Sequence, residues 1–267
     1  MTHLSLPRGG TRPRCVAVLI ALAVCLMGCG TVSPAEDPVT PVPLNVLFTG
    51  NRLNYVNDLP GLLVALVDSA GLGPLSATDV SQGGFGLQDH WTFKLTNDQL
   101  AKGGWDLVVL QQGPSATEGR PSLLDYSGRY AERIRAQGGE IGLYMVWPAF
   151  NRFFDFDGVF DSYRAAADSV DGLFFPSGEA WRVAWEADST LALYGSDAFH
   201  PSTLGTYVAG LVIYQQITGA SPVGLPSALR TRRNAVYAIE PRLARQLQLA
   251  AAEANRRHAL KTAGWLD

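Results

Sequence analysis

Short, almost continuously apolar runs alternate along this chain with longer stretches whose apolar residues recur at helical spacing. Leu44 to Thr49 is such a run and halts at Gly50, as a strand buried on both faces does before a turn. A helix is predicted from Asp58, with Pro60 in its first turn, Leu62, Leu63, Leu66 and Val67 on one face, and Gly71 as its stop. The pattern then repeats. Strands are predicted over 77–80, 105–110, 141–147 and 173–175. Helices are predicted over 123–137, from Asp155 through Phe160, Tyr163 and Ala167, over 179–187, from Ser202 or Thr203 to about Ile217, and over 241–258. In the last of these Leu243, Leu247, Leu249 and Ala250 are expected to face inward, and residues 220–232, rich in Pro and Ser, read as loop. Five strands alternating with helices define one α/β domain over 44–267, a three-layer α/β/α sandwich around a mostly parallel sheet. Such sheets bind ligands beyond the carboxyl ends of their strands, which draws attention to the segments 50–55, 81–86 and 111–115.

The first 29 residues do not fit that pattern. Arg8, Arg12 and Arg14 form a basic start, Cys15 to Gly28 is an uncharged apolar run too short to span a bilayer comfortably, and the run ends Leu26-Met27-Gly28-Cys29. That ending resembles the bacterial lipobox. It implies a signal peptide over 1–28, lipid on Cys29, and a Pro-rich tether over 29–43. An uncleaved N-terminal anchor is the alternative, and both readings export the domain and hold it at a membrane. Gly30 stands where an aspartate would favour retention at the inner membrane, so the expected location is the outer one where there are two.

Composition narrows the chemistry. Without its first 28 residues the chain has 18 basic and 24 acidic side chains, a net −6, which gives no electrostatic case for nucleic acid. All three cysteines, Cys15, Cys25 and Cys29, lie in the N-terminal segment, so the domain has neither a disulfide nor a thiol nucleophile. No two histidines stand at metal-ligand spacing, and Asp155, Asp157 and Asp161 fit the acidic start of a helix better than a Ca²⁺ loop. No metal and no cofactor are expected.

The candidate chemistry centres on Asp197-Ala198-Phe199-His200-Pro201-Ser202. An acid and a histidine three residues apart, closed by a proline and followed by an apolar helix, can hold imidazole beside carboxylate, the supporting half of a hydrolytic triad. The nucleophile should then lie in the turn Phe48-Thr49-Gly50-Asn51-Arg52-Leu53-Asn54-Tyr55. Gly83, Gly84 and Gly86 either let backbone N–H groups approach a ligand or form an ordinary flexible turn. His90, between Asp89 and Trp91, reads as a wall or packing residue. Trp147, Phe150, Phe153 and Phe154 are core residues by default and could otherwise line a sugar-binding cleft.

Taken in order, Gly50-Asn51-x-Leu53-x-Tyr55-Val56-Asn57-Asp58-Leu59-Pro60, Gly83-Gly84 with Asp89-His90-Trp91, Trp105-Asp106-Leu107-Val108-Val109-Leu110-Gln111, and Asp197-x-x-His200-Pro201-Ser202 resemble the SGNH (GDSL-like) hydrolase superfamily over residues 44 to about 225. The resemblance implies a flavodoxin-like sandwich and an ancestral esterase acting on acyl groups, often on acetylated carbohydrate. It implies that Asp197 orients His200, that His200 is the general base, and that the Gly83-Gly84 loop and Asn51 border the oxyanion site. A further donor is a side-chain amide after the central strand, for which Gln111, Gln112 and, on another alignment, Ser115 are candidates. The superfamily's serine falls on Arg52, and a guanidinium is neither nucleophile nor base at neutral pH. Three readings follow. The chain is a tethered hydrolase using Ser115 or an activated water, a non-catalytic binder of an acylated or anionic glycan through Arg52, or an envelope scaffold. The partners implied are a small acyl ester or glycan, and a membrane through Cys29.

Overall fold

A computed structural model describes residues 43–259 and 261–265, so the signal segment, Cys29 and the tether before Pro43 lie outside the described residues. The elements run β1 (Leu44–Thr49), α1 (Arg52–Tyr55), α2 (Leu59–Ser69), β2 (Leu75–Asp79), α3 (Leu87–Thr92), α4 (Lys94–Lys102), β3 (Leu107–Leu110), α5 (Arg120–Arg135) and β4 (Glu140–Tyr144). A 3₁₀ turn (Phe150–Asp155), α6 (Phe156–Ser169), β5 (Leu173–Phe175), α7 (Ser177–Ala187), α8 (Thr203–Thr218), β6 (Ala228–Arg230), β7 (Val236–Ala238) and α9 (Pro241–His258) complete the chain.

The main sheet has five strands in the order β2-β1-β3-β4-β5, all parallel, with Val46 opposite Ala77 on one side and Leu107 on the other. Strands flanked by helices on both sides must be apolar throughout, which is why β3 and β5 contain only Leu, Val and Phe and are fully buried. Helix α2 packs on α8, which in turn packs on α7 and α9, while α5 and α6 pack on each other. Nearly every residue of α8 from Gly205 to Thr218 is buried, so this helix is apolar all round rather than amphipathic. Gly205 is required there, because a Cβ would collide with the Leu193 carbonyl and the Trp181 ring. Burying one Leu or Val side chain in such a layer contributes about 1.5–3 kcal/mol.

The order 2-1-3-4-5 places the topological switch point between β1 and β3, and the crevice outside their carboxyl ends is where a ligand site belongs. The expected five-stranded parallel α/β sandwich is therefore the fold observed. Other expectations need correcting. Residues 228–230 and 236–238 form an antiparallel hairpin inside and beyond the stretch read as loop. In α9 Leu247 and Ala250 are buried as expected, together with Ala244, Gln248, Ala251, Ala254 and Asn255, but Leu249 is half exposed. Trp147 is core, stacked on Trp181 at 3.5 Å, but Phe150, Phe153 and Phe154 are exposed.

Candidate functional site

The segment after β1 is built to hold a tight turn. Gly50 carries no Cβ because one would overlap the side-chain amides of Asn54 and Gln111. Asn51 caps α1, its Oδ1 accepting the Leu53 N–H at 3.1 Å while its Nδ2 donates to the Phe85 carbonyl at 3.0 Å. The Asn51 N–H donates to Gln111 Oε1 at 2.8 Å. Below the turn, the Gly50 carbonyl accepts from the Gln82 N–H at 2.9 Å and from His90 Nε2 at 2.7 Å. A carbonyl can only accept, so Nε2 bears the proton and Nδ1 accepts from the Thr96 hydroxyl at 2.8 Å. Burial holds the His90 pKa below its ordinary 6.5, outweighing the bond to Gly50, and keeps the ring neutral.

The second segment is equally determined. Asp197 Oδ1 accepts the N–H groups of Phe199 at 3.1 Å and His200 at 2.9 Å, while Oδ2 meets His200 Nδ1 at 2.5 Å. The imidazole bond and these two N–H groups hold the Asp197 carboxyl down at about 2, so it is ionised at neutral pH. The Gly195 N–H donates to the His200 carbonyl at 2.7 Å, Trp147 Nε1 donates to the Phe199 carbonyl at 3.0 Å, and Ala198 sits at φ 58°, a left-handed conformation unusual for alanine. Constraint on this scale is what a strained functional turn requires.

The two segments meet. Asn51, Arg52, Tyr55, Gln82, Gly83, Gly84, Phe199 and His200 line one cavity of about 510 Å³. The bolt between them is Asn57, which belongs to the motif after β1 but to which the sequence assigns no role. Its Nδ2 donates to the Pro201 carbonyl and to Thr206 Oγ1, each at 3.0 Å, while its own carbonyl accepts from Tyr237 Oη at 2.5 Å. Asn57 and Asp58 both have positive φ, at 63° and 57°, and an asparagine tolerates that region better than most residues. The sequence signal was there in Asn57-Asp58, but its partners lie 144 and 149 residues away.

Within the cavity Arg52 Nε donates to Tyr55 Oη at 3.1 Å, which aims the guanidinium. Among the described residues its terminal nitrogens meet no carboxylate, the Gly83 and Gly84 N–H groups find no acceptor, and His200 Nε2 has no partner. No Asp or Glu lines the cavity. The cavity thus offers a guanidinium and backbone N–H groups beside the acceptor nitrogen of His200, with no carboxylate among its lining residues.

Four of the expected pocket residues stand elsewhere. Gln111 is fully buried under the Arg52 turn, holding the Asn51 N–H and donating to the Gln112 carbonyl. Gln112 donates to Ser115 Oγ at 2.7 Å and to the Gly119 carbonyl at 2.9 Å, so neither amide faces the cavity as an oxyanion donor. Ser115 lines a neighbouring cavity of about 270 Å³ on the other side of Phe199, its hydroxyl donating to the Gly113 carbonyl at 2.9 Å. His90 lies beneath the turn as a support. Among the described residues there is no cluster of His, Cys, Asp and Glu able to hold a metal ion.

The five-stranded parallel sheet with helices on both sides matches the fold of solved SGNH hydrolases. The chain is similar in structure to a protein assigned to the SGNH hydrolases from Slackia heliotrinireducens, with TM-score 0.57 and 22% identity over 65% of this chain and 98% of that one. It is also similar to a DUF4886 family protein from Bacteroides uniformis, with TM-score 0.59 and 17% identity over 85% and 100% of the two chains. A third similar structure is a lipase/acylhydrolase from Enterococcus faecalis, with TM-score 0.52 and 13% identity over 65% and 94%. No family model matches the sequence, and no curated protein does.

Proposed function

We propose that the chain is an exported, lipid-anchored protein of SGNH hydrolase fold in which the acyl-serine route is closed at Arg52 and the surviving pocket binds a carboxylate or phosphate, such as an acidic sugar. The observation that supports this is the set of donors without acceptors around one cavity, the Arg52 fork and the Gly83 and Gly84 N–H groups. A planar guanidinium held by Tyr55 suits a forked contact with an anion, a contact that lysine would not reproduce. The anchor reading rests on Leu26-Met27-Gly28-Cys29 and is tested by membrane fractionation of Cys29→Ala.

Binding is measured by titration calorimetry with inorganic phosphate, acetate and glucuronate, beside neutral glucose. The anions are expected to bind and glucose is not. Arg52→Ala loses about 10- to 100-fold in affinity, the worth of a charge-assisted hydrogen bond of about 1.5–3 kcal/mol. Equal affinity in wild type and Arg52→Ala would sink the proposal. The intact Asp197–His200 pair favours one other reading, in which His200 deprotonates a water for slow hydrolysis. That reading requires an ester-cleaving activity in the wild type that His200→Ala removes.

A further inference from the structure

Three phenylalanines of a single 3₁₀ turn stand in solvent, Phe150 at 62%, Phe153 at 47% and Phe154 at 79% exposure. The other large apolar side chains exposed to a similar degree among the described residues, Leu95, Val236 and Leu249, sit singly on separate elements. Single exposed apolar residues are ordinary, whereas a cluster marks a surface that meets something other than water. The turn is firmly held. The Phe150 N–H donates to the Ala198 carbonyl at 2.9 Å, Phe150 meets Tyr194 edge-on at 5.9 Å, and Phe153 lies 4.9 Å from Phe156 and 5.6 Å from Trp185. Between these rings runs an apolar groove of about 360 Å³ bordered by Trp185, Leu191, Leu193 and Tyr194.

Two observations choose the occupant. Cys29 is separated from β1 by the 14 residues 30–43. Fully extended, they reach about 48 Å at roughly 3.4 Å per residue, whereas a domain of this length has a radius of gyration of about 17 Å. A tether of that reach leaves the domain free to turn about its attachment at β1, so surface chemistry bears on which face settles at the membrane. Charge is the second observation. The chain beyond residue 28 has a net −6, and the one cation of the turn, Arg152, is paired with Asp155 at 2.5 Å. Attraction to anionic headgroups is therefore not the driving force, and the face that gains by leaving water is the aromatic one.

We infer that the turn Phe150–Asp155 seats in the interfacial zone of the phospholipid bilayer that carries the chain's own N-terminus. The inference rests on the lipid-anchored reading above, and its test separates the two. Full-length protein is mixed with phosphatidylcholine vesicles whose acyl chains carry bromine, and tryptophan emission is recorded. Trp185, beside Phe153, is the reporter, its share being the part of the emission lost in Trp185→Phe. Flotation with the vesicles reads the anchor; quenching of Trp185 reads the aromatic turn. Quenching is expected in the wild type at low and high salt alike. It is lost in the triple variant Phe150→Ser, Phe153→Ser, Phe154→Ser, and weakened in Phe154→Ser alone, whose ring is the most exposed and the least needed for folding. The triple variant Leu95→Ser, Val236→Ser, Leu249→Ser keeps it. The inference is overturned if the wild type floats without quenching, or if quenching survives loss of all three phenylalanines. It is equally overturned if the wild type is a dimer that the phenylalanine variant splits. A chain that does not float, yet is quenched as vesicles are added, removes the anchor and leaves the aromatic surface supported.

Discussion

The two turns that border the cavity differ in one respect only. The Asp197–His200 turn presents an imidazole beside a carboxylate, held by four backbone N–H bonds. The Gly50–Tyr55 turn is held as firmly, with the Asn51 cap, the Gln111 brace and the His90 support all bonded, and presents Arg52. Both turns are rigid mounts, and they differ in the group each offers, an imidazole on one and a guanidinium on the other.

The strongest way to break this comparison is to put the alcohol back. Arg52→Ser is expected to raise hydrolysis of a short-chain p-nitrophenyl ester by at least about 10²-fold over wild type, because a serine beside an oriented imidazole regains the essentials of a triad. His200→Ala in that background should remove the gain. No gain, in a variant whose melt is unchanged, would mean that the two turns are not in register for attack.

Asn57 sharpens the comparison from the side of stability. Asn57→Ala removes two hydrogen bonds at about 1 kcal/mol each and adds about 1–2 kcal/mol of left-handed strain, so urea unfolding should report a loss of about 3–4 kcal/mol. Asn57→Gly keeps the backbone conformation and should lose less. Both should weaken phosphate binding at Arg52, and an Asn57→Gly protein with undiminished binding would show that the bolt does not set the pocket.

His90 gives the smallest effect. Its folded pKa is depressed, so the unfolded chain binds more protons than the native one as the pH falls below 6.5. The stability His90 contributes is therefore complete above that value and is lost as the pH descends toward the folded pKa. The slope cannot exceed about 1.4 kcal/mol per pH unit for one proton. His90→Gln should flatten this part of the curve, as measured by urea melts across pH 5 to 8, the range in which histidine titrates.

Much of the fold could be read from the sequence, because a parallel sheet writes its buried strands as unbroken apolar runs and its helices at a period of 3.6. The β6–β7 hairpin could not. Its strands are three residues each and mostly exposed, leaving no apolar period to see. Within the site, Asp197, His200, Arg52, Asn51, Gly83 and Gly84 come from local motifs and line or support one cavity. Gln111 and Gln112 were misplaced because the direction of a side-chain amide is a tertiary property. For Phe150, Phe153 and Phe154 residue type leaves core packing, the default, and a surface cleft both open, and no periodicity reports which way a 3₁₀ turn faces.

The central claim is that the cavity holding Arg52 and His200 receives an anion and performs no serine chemistry. Its most direct test is the initial rate of p-nitrophenyl acetate hydrolysis by the wild-type protein beside His200→Ala, with and without saturating phosphate. The account predicts the same background rate for both proteins, and no response to phosphate. Turnover well above background in the wild type, lost in His200→Ala, would contradict it.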